Sequence, residues 1–177
     1  MRLFVAAELS DELVDALAET SASMRSTVPG RYVGSDLFHV TLAFLGEVPG
    51  VVVPDVIHAV RQACARHEAF TTSLGALGTF GRASSAVLWQ GFDKGREQWG
   101  NLASDVRAEL RAAGFSVDDK GFIPHVTLMR RADVSQGTLP MPCADCGVVD
   151  TVTVFSSDLS GERPRYEALE RISCSRT

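Results

Sequence analysis

One tetrapeptide occurs twice, once in each half of the chain: His39-Val40-Thr41-Leu42 and His125-Val126-Thr127-Leu128. The repeat constrains the fold more than any other feature. Both copies lie among β-prone residues and read as strand. Side chains alternate across a strand, so each His and the Thr two residues on share one face, while Val and Leu occupy the other. The apolar pair can pack beneath helices. The polar pair must line a cleft or meet water, because an unpartnered imidazole and hydroxyl in a dry core are costly. A pseudo-twofold fold would bring the two histidines to opposite sides of one cleft.

The remaining sequence supplies the frame. Arg2 to Glu8 reads as a strand, and Ser10 as the N-cap of a helix carrying Leu13, Leu17 and Met24 and ending before Val28-Pro29-Gly30. A β-dense run follows from Leu37 to Gly46. A second helix starts near Pro54, with Val56, Ile57, Val60, Ala63 and Cys64 as its apolar stripe. Phe70 to Phe80 and Ala86 to Phe92 form a strand pair joined by the turn Gly81 to Ser85. A third helix places Trp99, Leu102, Val106, Leu110 and Ala113 on one face and stops at Gly114. Phe122 to Arg130, Val148 to Phe155 and Tyr166 to Ser173 read as strands, with a loop from Gln136 to Gly147. This order predicts a mixed-sheet α+β protein with helices on its outer faces. Residues 1–177 are expected to form a single domain whose lobes pack intimately, since no Gly-, Ser- or Pro-rich linker divides them.

Of the 177 residues, 45% are hydrophobic and 22% charged, which excludes wholesale disorder. No apolar stretch approaches the ~20 residues of a membrane span. Glu8, Asp11 and Glu12 interrupt the N-terminus too early for a secretory signal, so a cytoplasmic protein is expected, with its four cysteines reduced. Cys143-Ala144-Asp145-Cys146 is a lone CxxC without a second pair, and packing or a turn outweighs a zinc or redox role. Net charge is 17 − 22 = −5 with a pI near 5.3, which argues against a groove that tracks duplex phosphates but not against a small phosphate-bearing substrate. Lys94 and Lys120 are the only lysines. The positive charge is otherwise Arg, the side chain suited to bidentate phosphate contact.

Two imidazoles and two hydroxyls facing one space suit metal-free in-line displacement at phosphorus. One neutral imidazole takes a proton from the attacking oxygen, the opposite imidazolium gives one to the leaving oxygen, and the Thr hydroxyls bond the non-bridging oxygens. Zinc ligation by the same histidines lacks a third ligand at recognisable spacing. His58 and His67 have no such neighbours and read as ordinary helix residues.

The chain resembles the 2H phosphoesterases, and within them the bacterial and archaeal RNA 2′,3′-cyclic phosphodiesterase branch, the 2′-5′ RNA ligase family. The resemblance is carried by Arg2-Leu3-Phe4-Val5-Ala6, by Leu37-Phe38-His39-Val40-Thr41-Leu42-Ala43-Phe44-Leu45-Gly46 and by Val87-Leu88-Trp89. It continues through Phe122-Ile123-Pro124-His125-Val126-Thr127-Leu128-Met129-Arg130 and Gly161-Glu162-Arg163-Pro164-Arg165-Tyr166. It implies a bilobal α+β fold of pseudo-twofold duplicated sheets, with outer helices around a central cleft carrying both motifs. It also implies hydrolysis of an RNA terminal 2′,3′-cyclic phosphate to a 2′-phosphate, without metal or cofactor. By the same resemblance His39 is the proton donor to the leaving 3′ oxygen, His125 the proton acceptor that activates water, and Thr41 and Thr127 phosphate ligands.

Arg130 matches the Arg that usually follows the family's second motif and is a candidate phosphate contact; Arg131 doubles it, a departure from the pattern. Phe4, Phe44 and Phe122 are candidates to stack on a base or ribose at the cleft rim, although strand aromatics more commonly serve the core. The expected partners are RNA 3′ ends bearing a 2′,3′-cyclic phosphate, tRNA fragments included, or small cyclic nucleotides, with no membrane, and the protein is expected to be a monomer. Two rivals share the residues: 2′-5′ ligation, the reverse reaction, and a non-catalytic module that binds RNA ends. Intact His and Thr in both motifs disfavour the module.

Overall fold

The computed structural model describes residues 1–118, 120–161 and 163–174. Its strands are β1 (Arg2–Ala7), β2 (Arg31–Tyr32), β3 (Val40–Glu47), β4 (Phe70–Phe80), β5 (Ala86–Lys94), β6 (His125–Ala132), β7 (Cys146–Val149), β8 (Thr151–Asp158) and β9 (Arg165–Ser173). Its helices are α1 (Asp11–Ser23), α2 (Val53–Cys64) and α3 (Arg96–Ala112). One sheet has the order β3-β1-β8-β9 and the other β2-β6-β5-β4-β7. Every pairing among the described residues is antiparallel, which corrects the expectation of mixed sheets. The two His-bearing strands, β3 and β6, belong to different sheets and approach each other.

The apolar residues of the repeat do what alternation demands. Val40, Leu42, Val126 and Leu128 are all fully buried in one continuous core. α2 lies on β8 and β9 and packs on α3, and α3 also reaches β3. Trp99 of α3 is fully buried between Phe70 and Phe92, its Nε1 donating to Thr72 Oγ1 at 3.0 Å, which satisfies the one polar atom the indole brings inside. α3 ends where Gly114 takes φ +88°; the Gly114 and Phe115 amides bond back to Arg111 and Leu110, closing a Schellman cap. Ala113 caps the helix and is exposed rather than part of its buried face.

Four further segments differ from the sequence reading. Val148 to Phe155 is not one strand: the chain breaks at Asp150 and passes from the second sheet into the first, with the Cys174 amide bonding the Asp150 carbonyl at the crossing. Arg31–Tyr32 is a short strand on β6, where an irregular link was expected. Leu37 to His39 and Phe122 to Pro124 lie outside their strands. The β1–β3 pairing ends at Ala7–Val40, one residue short of His39, and Pro124 has no N–H to give.

Candidate active site

The chain before each histidine bends so that a carbonyl two residues upstream meets the ring. Leu37 O lies 2.7 Å from His39 Nδ1, and Ile123 O lies 2.7 Å from His125 Nδ1. A carbonyl only accepts, so Nδ1 carries the hydrogen in both rings and the lone pair of each neutral imidazole is at Nε2. Thr41 Oγ1 stands 3.1 Å from His39 Nε2 and donates to it when the ring is neutral. Both rings are thereby fixed in the one tautomer that leaves Nε2 to exchange protons.

A second device is also duplicated. Between the pairs Ala6–Thr41 and Val5–Ala43, β3 carries one extra residue, Leu42; between Trp89–Thr127 and Leu88–Met129, β6 carries Leu128. Each bulge reverses the alternation, so that Leu42 and Ala43 in one half, and Leu128 and Met129 in the other, are consecutive and buried. The next residues, Phe44 and Arg130, therefore return to the face of the His and Thr. The extra carbonyl of Leu42 accepts from Arg107 Nε at 2.8 Å, and the same guanidinium donates to Lys120 O at 3.0 Å in the segment leading to His125.

Each imidazole rests on aromatic rings. His39 lies 5.1 Å from Phe4 and 5.6 Å, edge-on, from Tyr166, with Phe155 stacked on Phe4. His125 lies 5.1 Å, edge-on, from Phe80 and 5.7 Å from Trp89. Burial holds both imidazoles below the ordinary histidine pKa. The Arg130 charge lowers both further, and protonated His125 lowers His39. The two histidines and Arg130 thus share one electrostatic space. Among the described residues, no group of three or more His, Cys, Asp or Glu side chains is placed to hold a metal ion.

A family model described as the 2′-5′ RNA ligase superfamily matches residues 13–138, a span that includes both motifs. The chain belongs to this superfamily. A Geobacillus stearothermophilus protein named RNA 2′,3′-cyclic phosphodiesterase is 35% identical over 86% of the chain, which spans only about half (48%) of that relative's length. The Escherichia coli K12 protein of the same name is 30% identical, with 96% of this chain and 94% of the relative covered. The crystal structure of E. coli LigT complexed with 3′-AMP superposes with a TM-score of 0.80 at 28% identity, covering 97% of each chain. The α+β architecture of paired antiparallel sheets is therefore the superfamily's.

Within this superfamily member the other candidates separate. Phe4 is 3% exposed beneath His39, which leaves no face for a base and corrects its assignment as a stacking residue: it is part of the floor. Phe44 is 52% exposed and only 6.0 Å from Phe4, so its ring is open to a ligand. The Phe122 ring is covered by the Arg107 guanidinium at 5.5 Å. His67 lies beyond α2 and pairs with Asp105 at 2.9 Å. Cys143 is held through its backbone, its amide donating to Thr20 Oγ1 and its carbonyl accepting from Gln90.

Sequence reasoning missed Phe80, Trp89, Phe155 and Tyr166 as the supports of the histidines. One signal pointed to Phe155. It alternates with Val152 and Val154 along β8, so it faces away from the core they fill. The others come to the site only through strand pairing.

Proposed function

We propose that this chain hydrolyses the terminal 2′,3′-cyclic phosphate of RNA to a 2′-phosphate, with His39 and His125 as acid and base. The observation that carries the reading is the duplicated carbonyl lock, which leaves the lone pair of each neutral imidazole at Nε2, in two histidines near enough for the charge of one to lower the pKa of the other. The names of the E. coli and Geobacillus relatives agree with it.

In the reaction, neutral His125 takes a proton at Nε2 from water as the water oxygen bonds to phosphorus. The P–O3′ bond breaks, and the 3′ oxygen takes the proton from Nε2 of protonated His39. The product is a 2′-phosphate beside a free 3′-hydroxyl; proton exchange with solvent restores both rings. Thr41, Thr127 and Arg130 hold the non-bridging oxygens as negative charge grows on them. The phosphate also brings the charge that raises the lowered His39 pKa, so the acid is loaded when substrate arrives.

A cavity of about 470 Å³ opens beside His39, and its lining includes His39 but not His125. The leaving oxygen carries a whole nucleoside whereas water needs little room, which supports His39 as the acid. The test is a short RNA ending in a 2′,3′-cyclic phosphate, incubated in EDTA and followed by phosphorus resonance. Conversion to the 2′-phosphate is expected, falling by about 10³-fold or more in His39→Ala and in His125→Ala. A folded wild type that leaves the cyclic end intact, or an alanine variant with full turnover, would overturn the reading.

A further inference from the structure

The cavity beside His39 has an asymmetry of charge that the hydrolysis itself does not use. Its floor is aromatic, from Phe155 and Tyr166, and one wall is the turn that carries Asp36. Its volume falls in the range of small-ligand sites. Two arginines of β9 reach it. A bulge at Leu169, between the pairs Val154–Glu170 and Phe155–Ala168, brings Arg171 to the face of Tyr166 and Ala168. Arg171 Nε is then spent on Glu8 Oε1 at 2.8 Å, and Glu8 also accepts from Thr153, so this charge is largely neutralised. Arg165 differs. It is exposed at the first position of β9, and its guanidinium makes no hydrogen bond or ion pair with another described residue; its charge lowers the pKa of Asp158, its partner across the strand pair.

We propose that this cavity seats the terminal nucleoside and that Arg165 binds the phosphodiester on its 5′ side, so that the protein reads at least two nucleotides of an RNA end. The inference rests on the functional reading above. If His39 protonates the 3′ oxygen, the ribose bearing that oxygen lies on the His39 side, where the cavity opens. Its 5′ oxygen leads out of the cavity, and the next anion of the chain meets the rim. Asp36 disfavours an anion at its own wall, and Arg171 is already paired. Arg165 is the cavity's cation left to take it, and a guanidinium suits a phosphodiester's two free oxygens.

The experiment compares kcat/KM for a nucleoside 2′,3′-cyclic phosphate and for a dinucleotide with the same cyclic end, in wild type, Arg165→Ala, Arg165→Lys and Arg171→Ala. Wild type should prefer the dinucleotide by about tenfold, the scale of one charge-assisted contact. Arg165→Ala should bring the ratio near one through KM of the dinucleotide. Arg165→Lys should keep part of the preference and Arg171→Ala most of it. A wild type equally efficient on both substrates overturns the inference and leaves the hydrolytic reading standing, as does an Arg165→Ala variant that loses both activities in proportion. A wild type that turns over neither substrate removes the hydrolytic reading, and this inference with it.

Discussion

Gly78 lies opposite Trp89 in the β4–β5 ladder, and the indole crosses directly over it. A Cβ at Gly78 would stand 2.7 Å from Trp89 Cε2 and closer still to Cζ2 and Cη2. Ordinary contact begins near 3.4 Å, so the ring must retreat by about 0.7 Å at Cε2 and by about 1 Å at its far edge. No hydrogen bond from another described residue opposes that slide, because the buried Trp89 Nε1 has no partner among them. The ring's neighbours would move with it: Phe80 at 5.1 Å and His125 at 5.7 Å. In the proposed mechanism His125 transfers a proton, and displacing such a group by about 1 Å costs on the order of 10²-fold in rate; forcing a methyl into a packed contact costs about 1–3 kcal/mol of stability. Gly78→Ala should therefore lower kcat on the cyclic-phosphate RNA by about two orders of magnitude and change the near-ultraviolet dichroism of tryptophan. Gly100→Ala is the control. A Cβ there meets nothing within 4 Å, and the substitution in α3 should raise stability by about 0.5–1 kcal/mol with kcat retained. A Gly78→Ala enzyme with wild-type kcat and melting temperature would show that Trp89 does not position His125.

Two other outcomes rest on the same geometry. Both imidazoles are held below their ordinary pKa of about 6.5, so the unfolded chain takes up these protons before the folded one. Their contribution to stability is therefore full above about pH 6.5 and is lost as pH falls through that value toward the lowered folded pKa. Melting curves between pH 7.5 and 5 should show the loss, and His39→Gln combined with His125→Gln should flatten it; an equal slope in the double variant would place the titration elsewhere. Arg107→Met keeps the aliphatic stem but removes the donors to Leu42 O and Lys120 O. It should cost about 1–3 kcal/mol in thermal unfolding and depress kcat, with partial rescue by Arg107→Lys, whereas unchanged kcat would mean that the clamp does not position the motifs.

The pairing of His with Thr on one face, and of Val with Leu on the other, was legible because it depends only on the period of a strand. The residues just beyond each motif were not legible in that way. Strict alternation carried past Thr127 puts Arg130 with Val126 and Leu128 in the core, and carried past Thr41 it buries Phe44. The bulges at Leu128 and Leu42 reverse both outcomes, and a bulge is a mismatch of two strands that neither strand records alone. Likeness to known sequences singled out Arg130, and aromatic character singled out Phe44, where alternation would have excluded them. The break at Asp150 was hidden for a related reason. Only Thr151 to Val154 alternates strictly; the buried valines pass from odd Val149 to even Val152 and Val154 across Asp150, a change of parity that a single-strand reading overlooks and that marks the change of sheet. Phe4 shows the opposite limit: an aromatic on the site's face is as readily a floor as a binding surface, and only its 3% exposure decides.

The two half-sites share the carbonyl lock, the Thr two residues on and the bulge after it. A site with only those parts would be indifferent to exchange of its histidines, since either imidazole can give or take the proton. Direction must come from the parts that differ. After the bulge, one half presents the Phe44 ring and the other the Arg130 guanidinium; the His39 side opens into the 470 Å³ cavity. Because Arg130 lowers both imidazoles, it cannot by itself select the acid. Selection falls to the cavity. Whichever histidine stands beside the bound nucleoside faces the leaving oxygen, so in the hydrolytic reading the assignment of acid and base is set by where the nucleoside fits rather than by the chemistry of either imidazole.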